Sequence, residues 1–148
     1  MDKGESEGQP PRGKTFHGSC HCGAVAFEVD LDLAAGIHKC NCTFCRKTGY
    51  QKVFAAGDAL TITKGRPAEY LPSPSHWPPG DIHHYYCIDC GVHPFSQGKL
   101  DQMGGVFWAA NVACFDDVSE AELAAAPLVY EDGLHDRQQE TPAVTSYL

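Results

Sequence analysis

The sequence predicts a mainly β domain in which short antiparallel strands are joined by frequent turns. The first observation is period-two alternation, which is clearest over residues 24–29, where Val25, Phe27 and Val29 fall on one face. The second is that turn signals such as Lys64-Gly65 end these apolar runs early. The third is size, because 148 residues are enough to bury one core without covalent help.

Further strands are predicted along the rest of the chain, together with two short helical segments. The chain is predicted to turn over residues 20–23 between two strands, the first of them within residues 15–19 and the second over residues 24–29. Further strand patterns cover residues 37–39, 53–56, 60–63, 69–71, 83–86 and 105–112. A helical turn that follows Cys45 is predicted to end at Gly49. Ser119 and Glu122 have the spacing of a helix capping box, which predicts a short helix before Pro127.

The predicted domain spans residues 15–130 and is flanked by two polar tails. Residues 1–14 lack apolar periodicity and are predicted to be disordered, and residues 131–148 are predicted to be a C-terminal tail. The proline-rich loop over residues 72–80 cannot belong to a central strand. Its length suits either the rim of a site or a plain surface loop.

Composition and charge argue against several classes of partner. No apolar run approaches the roughly 20 residues that cross a bilayer, and the polar start of the chain is unlike a secretory signal. The net charge of −8 argues against nucleic acid, which is bound through an excess of lysine and arginine. We therefore expect a protein of the reducing cytoplasm, where clustered cysteines are more often metal ligands or catalysts than disulfides.

Seven of the eight cysteines lie in three short clusters. The clusters are Cys20-His21-Cys22-Gly23, Cys40-Asn41-Cys42-Thr43-Phe44-Cys45 and Cys87-Ile88-Asp89-Cys90-Gly91. Thiols this close cannot all pair as disulfides, which need Cα atoms about 4.4–6.8 Å apart and suitably directed Cβ atoms. A tetrahedral zinc ion accepts such spacing, so the clusters predict zinc sites.

Two partitions of the seven thiols make physical sense. The favoured one places four thiols in a closed structural site, namely Cys20, Cys22, Cys87 and Cys90. It leaves three thiols for a second zinc with an open fourth position, namely Cys40, Cys42 and Cys45. In the other partition the last cysteine pair joins two thiols of the central cluster, and the rest are spare. The first partition is favoured because it uses every clustered thiol and matches the distinction between closed structural zinc and open catalytic zinc. Gly23 and Gly91 support its four-thiol site, because a zinc knuckle turns with φ > 0.

The three-thiol site carries the functional argument. Zinc bound by three thiolates is a weak Lewis acid toward water but holds a soft ligand well, and a thiolate is the soft ligand that a cell supplies. A substrate thiol in the fourth position would be held deprotonated and ready to attack. The alternative is a second structural site completed by His38, His93 or Cys114.

Four further residues are candidates for the site. Arg46, Lys47 and Lys52 follow the central cluster in an acidic protein. These cations either pair with the carboxylates of an anionic thiol or remain solvated surface charges. His93 lies three residues after the last cysteine pair and either donates a proton to a developing alkoxide or is a structural histidine.

The order and spacing of the cysteine motifs resemble the glutathione-dependent formaldehyde-activating enzyme family, which includes centromere protein V. The resemblance covers about residues 16–117 and rests on Cys-x-Cys-Gly, Cys-x-Cys-x2-Cys-Arg-Lys and Cys-x2-Cys-Gly-x-His. It implies a β-tent fold with two zinc ions per chain, one structural and one catalytic, on the ligand sets of the favoured partition.

The resemblance also implies an activity. The namesake reaction adds glutathione, as cosubstrate, to the small aldehyde formaldehyde and forms S-hydroxymethylglutathione; the reverse is a carbon–sulfur lyase reaction. By that likeness Cys40, Cys42, Cys45 and His93 would be catalytic. Three alternatives stay open, namely a glutathione carrier without turnover, an interaction module and a redox switch of the three thiols.

Overall fold

The computed structural model describes residues 8–73 and 81–148. Within that part of the chain there are ten strands and two α-helices. The strands are β1 (Lys14–Ser19), β2 (Ala26–Leu31), β3 (Ile37–Cys40), β4 (Lys52–Ala56), β5 (Leu60–Lys64), β6 (Ala68–Tyr70), β7 (Ile82–Tyr86), β8 (Phe95–Leu100), β9 (Gly105–Asn111) and β10 (Leu128–Glu131). The helices are α1 (Thr43–Thr48) and α2 (Glu120–Ala125). Most of the proline-rich loop predicted over residues 72–80, and half of the predicted N-terminal tail, lie outside the described residues.

The strands form two sheets, which confirms the predicted mainly β fold. One sheet has three strands in the order β1-β2-β5, and the other has seven in the order β10-β3-β4-β9-β8-β7-β6. Among the described residues every strand pair is antiparallel, as predicted, except the parallel pair of β3 and β10. That parallel pair sets Glu131 opposite Cys40. The residues that follow Glu131 therefore start next to the central cysteine cluster.

The core lies between the two sheets and is rich in aromatic rings. Phe27 of β2 meets Phe95 of β8 edge to face, with ring centroids 5.2 Å apart, and both side chains are fully buried. Phe16 of β1 stacks on Phe115 at 5.2 Å. Each such ring contributes about 1.5–3 kcal/mol by leaving water, so the core holds the two sheets against each other.

Two strands, β8 and β10, are absent from the sequence prediction. β8 begins Phe95-Ser96-Gln97-Gly98, so its buried positions include a serine and a glycine and its apolar alternation is lost. It forms because it lies between β7 and β9 and pairs with both, which satisfies its backbone groups on two edges. β10 has only four residues, and its pairing with β3 depends on chain segments far apart in sequence.

Both predicted short helices are present and Gly49 ends α1 as predicted, but α1 begins before Cys45 rather than after it, because the Cys42 side chain caps the helix start. Gly49 ends α1 in the left-handed conformation with φ 71°, and the helix begins at Thr43, immediately after Cys42. The capping box of Ser119 and Glu122 is present at the start of α2. Among the described residues, no helix combines the length and apolar character that a membrane span requires.

Candidate metal centres

Four thiols from two distant turns form the first candidate centre. The Sγ atoms of Cys20, Cys22, Cys87 and Cys90 all lie within 4.8 Å of one another. The Sγ atom of Cys22 lies 3.7 Å from that of Cys20 and 3.6 Å from that of Cys87. Zinc–sulfur bonds of about 2.3 Å in a tetrahedron separate the sulfur atoms by about 3.8 Å. The four thiols therefore fit a tetrahedral zinc ion.

The two turns of this four-thiol centre share one backbone design. In the turn after β1 the N–H of Gly23 donates to the carbonyl of Cys20, and in the turn after β7 the N–H of Gly91 donates to the carbonyl of Cys87. Gly23 and Gly91 have φ of 81° and 77°, where a side chain would be strained. These turns direct backbone N–H groups at the sulfur atoms. Those of Cys22 and Val92 lower the pKa of Cys90 to about 6, which favours the thiolate that binds a metal.

Cys40, Cys42 and Cys45 form the second candidate centre. Cys40 ends β3, Cys42 precedes α1 and Cys45 lies in its first turn, so a strand-to-helix turn brings the three Sγ atoms within 4.8 Å of one another. Hydrogen bonds from the other two thiols lower the pKa of Cys42 to about 2. The hydrogen bonds of Cys45 with Cys40 and Cys42 raise the pKa of Cys45. The three sulfur atoms are close enough to share one bound cation, which binds to thiolates and so displaces the thiol protons.

A buried ion pair lies beside the three-thiol centre. Lys52 Nζ donates to Glu131 Oε1 at 2.9 Å, and the two side chains are 15% and 9% exposed. Burial by itself would lower the pKa of Lys52, but the negative charges of the Cys45 sulfur and the Glu131 carboxylate raise it above its usual value. Burial by itself would raise the pKa of Glu131, but the hydrogen bond from His38 and the charge of Lys52 lower it. Lys52 is therefore an interior cation whose partner is Glu131.

A pocket of about 380 Å³ opens beside the three-thiol centre. Its lining is Lys39, Cys40, Cys45, Arg46, Gly49, Tyr50, Gln51, Tyr147 and Leu148. The volume lies in the range of small-molecule sites. Two thiols of the centre thus face a cavity with two cations, Lys39 and Arg46.

The basic residues predicted for the site have three different placements. Arg46 lines the pocket, Lys47 is exposed on α1, and Lys52 is paired with Glu131 away from the pocket lining. Lys39 lines the pocket as well, although it was not among the residues predicted for the site. Its position immediately before Cys40 is the sequence feature that could have identified it.

His93 contacts α1 through aromatic packing. Its ring meets the ring of Phe44 edge to face at 5.5 Å, and Phe44 lies between Cys42 and Cys45. His84 stacks on the same Phe44 ring at 3.6 Å. Burial lowers the pKa of His93, and in the part of the chain that the structure describes its buried Nδ1 atom has no hydrogen-bond partner. Within the described residues, none of the proposed fourth ligands, His38, His93 and Cys114, groups with the three thiols.

Comparison with known proteins gives three findings. A model of the family described as "Glutathione-dependent formaldehyde-activating enzyme" matches residues 15–131. A Halomonas elongata protein, provisionally named as an enzyme of that kind, is 44% identical over 50 residues, which cover 32% of this chain and 32% of that protein. The match thus spans about a third of the length of that curated relative. A Rhodobacter sphaeroides protein of known crystal structure is similar with a TM-score of 0.61 and 28% identity, covering 76% of this chain and 99% of that chain.

We predict that Cys90→Ser removes one equivalent of zinc and lowers the free energy of unfolding by at least ~3 kcal/mol, because structural zinc sites supply ~10–16 kcal/mol of apparent binding energy. Cys114→Ala is the matched control, since Cys114 is buried but belongs to neither thiol group. Zinc content by mass spectrometry and urea denaturation measure both effects. Equal zinc content in the two variants would contradict the assignment of the four-thiol centre.

The burial of His84 makes stability depend on pH. Burial, with smaller effects of nearby cationic groups, lowers the pKa of His84 to about 4. The unfolded chain therefore takes up a proton near pH 6.5 that the folded chain takes up only near pH 4. The stability that neutral His84 contributes is fully present above pH 6.5. The free energy of unfolding then falls by about 1–3 kcal/mol as the pH drops from 6.5 toward 4. Urea denaturation at pH 7.5 and 4.5 should show a smaller loss of unfolding free energy for His84→Phe, which keeps the ring stack, than for wild type. An unchanged loss would contradict the prediction.

Proposed function

This chain belongs to the glutathione-dependent formaldehyde-activating enzyme family, and on that premise we propose that it is a zinc-dependent carbon–sulfur lyase or synthase. Its substrate is a glutathione adduct such as S-hydroxymethylglutathione, formed from glutathione and formaldehyde. One observation carries the proposal. Two thiols of a three-thiol group, Cys40 and Cys45, line a pocket that also contains two cations, while four other thiols form a separate group.

The two thiol groups have different roles in this proposal. Cys20, Cys22, Cys87 and Cys90 offer a complete tetrahedral ligand set, which is typical of a structural zinc. Cys40, Cys42 and Cys45 offer three ligands, which is typical of a zinc with an exchangeable position. Zinc bound there supplies a Lewis acid that stabilises a further thiolate. A reducing compartment such as the cytoplasm keeps all seven thiols available.

The cations of the pocket bind the carboxylates of glutathione. Arg46 and Lys39 line the same pocket as Cys40 and Cys45, so a thiol that reaches the centre can place a carboxylate on a cation. Arginine suits this role because its guanidinium binds a carboxylate through two parallel hydrogen bonds. In a chain with a net charge of −8, such local cations offset the general repulsion of an anionic ligand.

His93 handles the proton in this scheme. The glutathione thiolate attacks the carbonyl carbon of formaldehyde, the carbon–sulfur bond forms, and the electron pair of the C=O π bond moves to oxygen. That oxygen takes up a proton to become the hydroxymethyl group, and in the reverse direction it gives the proton up. Burial lowers the pKa of His93, so near neutral pH its imidazole is uncharged. In the forming direction the neutral imidazole accepts the proton that leaves the glutathione thiol and donates it to the new alkoxide; in the breakdown direction it accepts the hydroxymethyl proton and returns it to the departing thiolate.

We predict that the zinc-loaded protein accelerates the interconversion of S-hydroxymethylglutathione with glutathione and formaldehyde. Exchange NMR measures this rate directly and separates it from the uncatalysed reaction. Cys42→Ala should abolish the acceleration, because Cys42 is a half-buried ligand of the three-thiol centre. Cys114→Ala, outside both groups, should keep it.

The same experiment separates catalysis from storage. A wild-type protein that binds glutathione but leaves the exchange rate unchanged is a carrier, and the proposed activity is then wrong. A Cys42→Ala variant that keeps the full acceleration would show that the three thiols are not the reaction centre.

A further inference from the structure

The segment that follows the family match, residues 132–148, forms one wall of the three-thiol pocket. We call it the C-terminal segment. The family match ends at residue 131, yet Tyr147 and Leu148 line the pocket. Gly133 packs against Cys40 so closely that a Cβ atom there would lie 2.5 Å from its Sγ. The wall is therefore supplied by a part of this chain that the family pattern does not include.

The C-terminal segment is fastened to the middle of the three-thiol motif. Asn41, between Cys40 and Cys42, is 2% exposed. Its Nδ2 donates to Asp132 Oδ1 at 2.9 Å, and its Oδ1 accepts from the backbone N–H of Leu134 at 2.8 Å. Asp132 also accepts from His135 and pairs with Arg137. The buried Asn41–Asp132 contact fixes where the segment starts, beside the thiols.

At its other end the segment contacts both cations of the pocket. The guanidinium carbon of Arg46 lies 5.1 Å from the ring centre of Tyr147, a cation–π distance. Lys39 Nζ lies 3.5 Å from the backbone oxygen of Leu148. Tyr147 is 51% exposed, so its ring is a surface group that touches the guanidinium rather than a part of the core.

We propose that Tyr147 is a positioning residue for Arg46 and so selects thiols that carry a carboxylate. A ring on the face of a guanidinium restricts its motion and leaves the N–H groups at its edge free for a carboxylate. Holding the guanidinium in place reduces the ordering cost when the ligand binds. The proposal rests on the proposed function, because it takes the thiol of glutathione to be bound at the three-thiol centre.

The test compares two thiols by isothermal titration calorimetry on the zinc-loaded protein. The first is glutathione, which has carboxylates, and the second is 2-mercaptoethanol, which has none. Tyr147→Ala should weaken glutathione binding by about two- to fivefold, the effect of losing one exposed cation–π contact, and leave 2-mercaptoethanol binding unchanged. Tyr147→Phe keeps the ring and should restore the wild-type affinity.

Two further variants control for indirect effects. Val144→Ala changes an equally exposed side chain of the same segment that does not line the pocket, and it should bind glutathione as wild type does. In an Arg46→Gln background, Tyr147→Ala should cause no further loss, because the ring then has no guanidinium to position.

The outcomes separate this proposal from the proposed function. Wild-type protein that does not bind glutathione overturns both. Wild-type binding with no loss in Tyr147→Ala overturns the positioning role alone, and tighter binding in that variant would show that Tyr147 obstructs the pocket instead. A failure of Tyr147→Phe to restore the affinity would also overturn the role, because it would locate the effect in the hydroxyl group.

Discussion

Bringing four thiols of two separate sheets to one point is the constraint on which the rest of the structure depends. Cys20 and Cys22 follow β1 of the three-stranded sheet, and Cys87 and Cys90 follow β7 of the seven-stranded sheet. The turn that holds the second pair continues to His93, whose ring rests on Phe44 of α1. The four-thiol centre thus fixes the sheets at one end and, through aromatic packing, supports the helix that carries Cys45. This is why we assign it a structural role and the three-thiol centre a chemical one.

Charge balance explains how three thiolates can lie together in a partly buried site. In the proposed function, a zinc ion with three thiolates would carry a net charge of about −1, and a bound substrate thiolate would add another negative charge. Lys52 is an interior cation that interacts with the sulfur of Cys45, but its positive charge is largely offset by its ion pair with Glu131. Arg46 and Lys39 are on the pocket side. The cations that remain for an incoming anion are therefore those of the pocket wall, which is also where the C-terminal segment makes its contacts.

The sequence predicted the mainly β fold and the seven clustered thiols because both depend on local patterns, namely alternation of apolar residues and Cys-x2-Cys spacing. It could not predict β8, whose burial of Ser96 and Gly98 follows from pairing on two edges, nor the parallel partner of β3.

The sequence pattern assigned residues 131–148 to a tail, whereas Glu131 and Asp132 are buried and Tyr147 lines the pocket. It grouped Lys52 with Arg46, since nearness in sequence does not show that Lys52 begins β4 and pairs with Glu131. The contacts of Glu131 and Asp132 with Lys52 and Asn41 join residues 79 and 91 apart, and for such separations a single sequence carries no local signal.

The most direct test of the central claim is selenium-edge X-ray absorption on the zinc-loaded protein with the selenol analogue of glutathione. If the three-thiol centre keeps a position for a substrate thiol, the selenium atom should show a zinc neighbour at bonding distance, and Cys42→Ala should remove that neighbour. A selenium atom bound to the protein without a zinc neighbour, while both zinc ions are present, would contradict the claim that the centre activates glutathione.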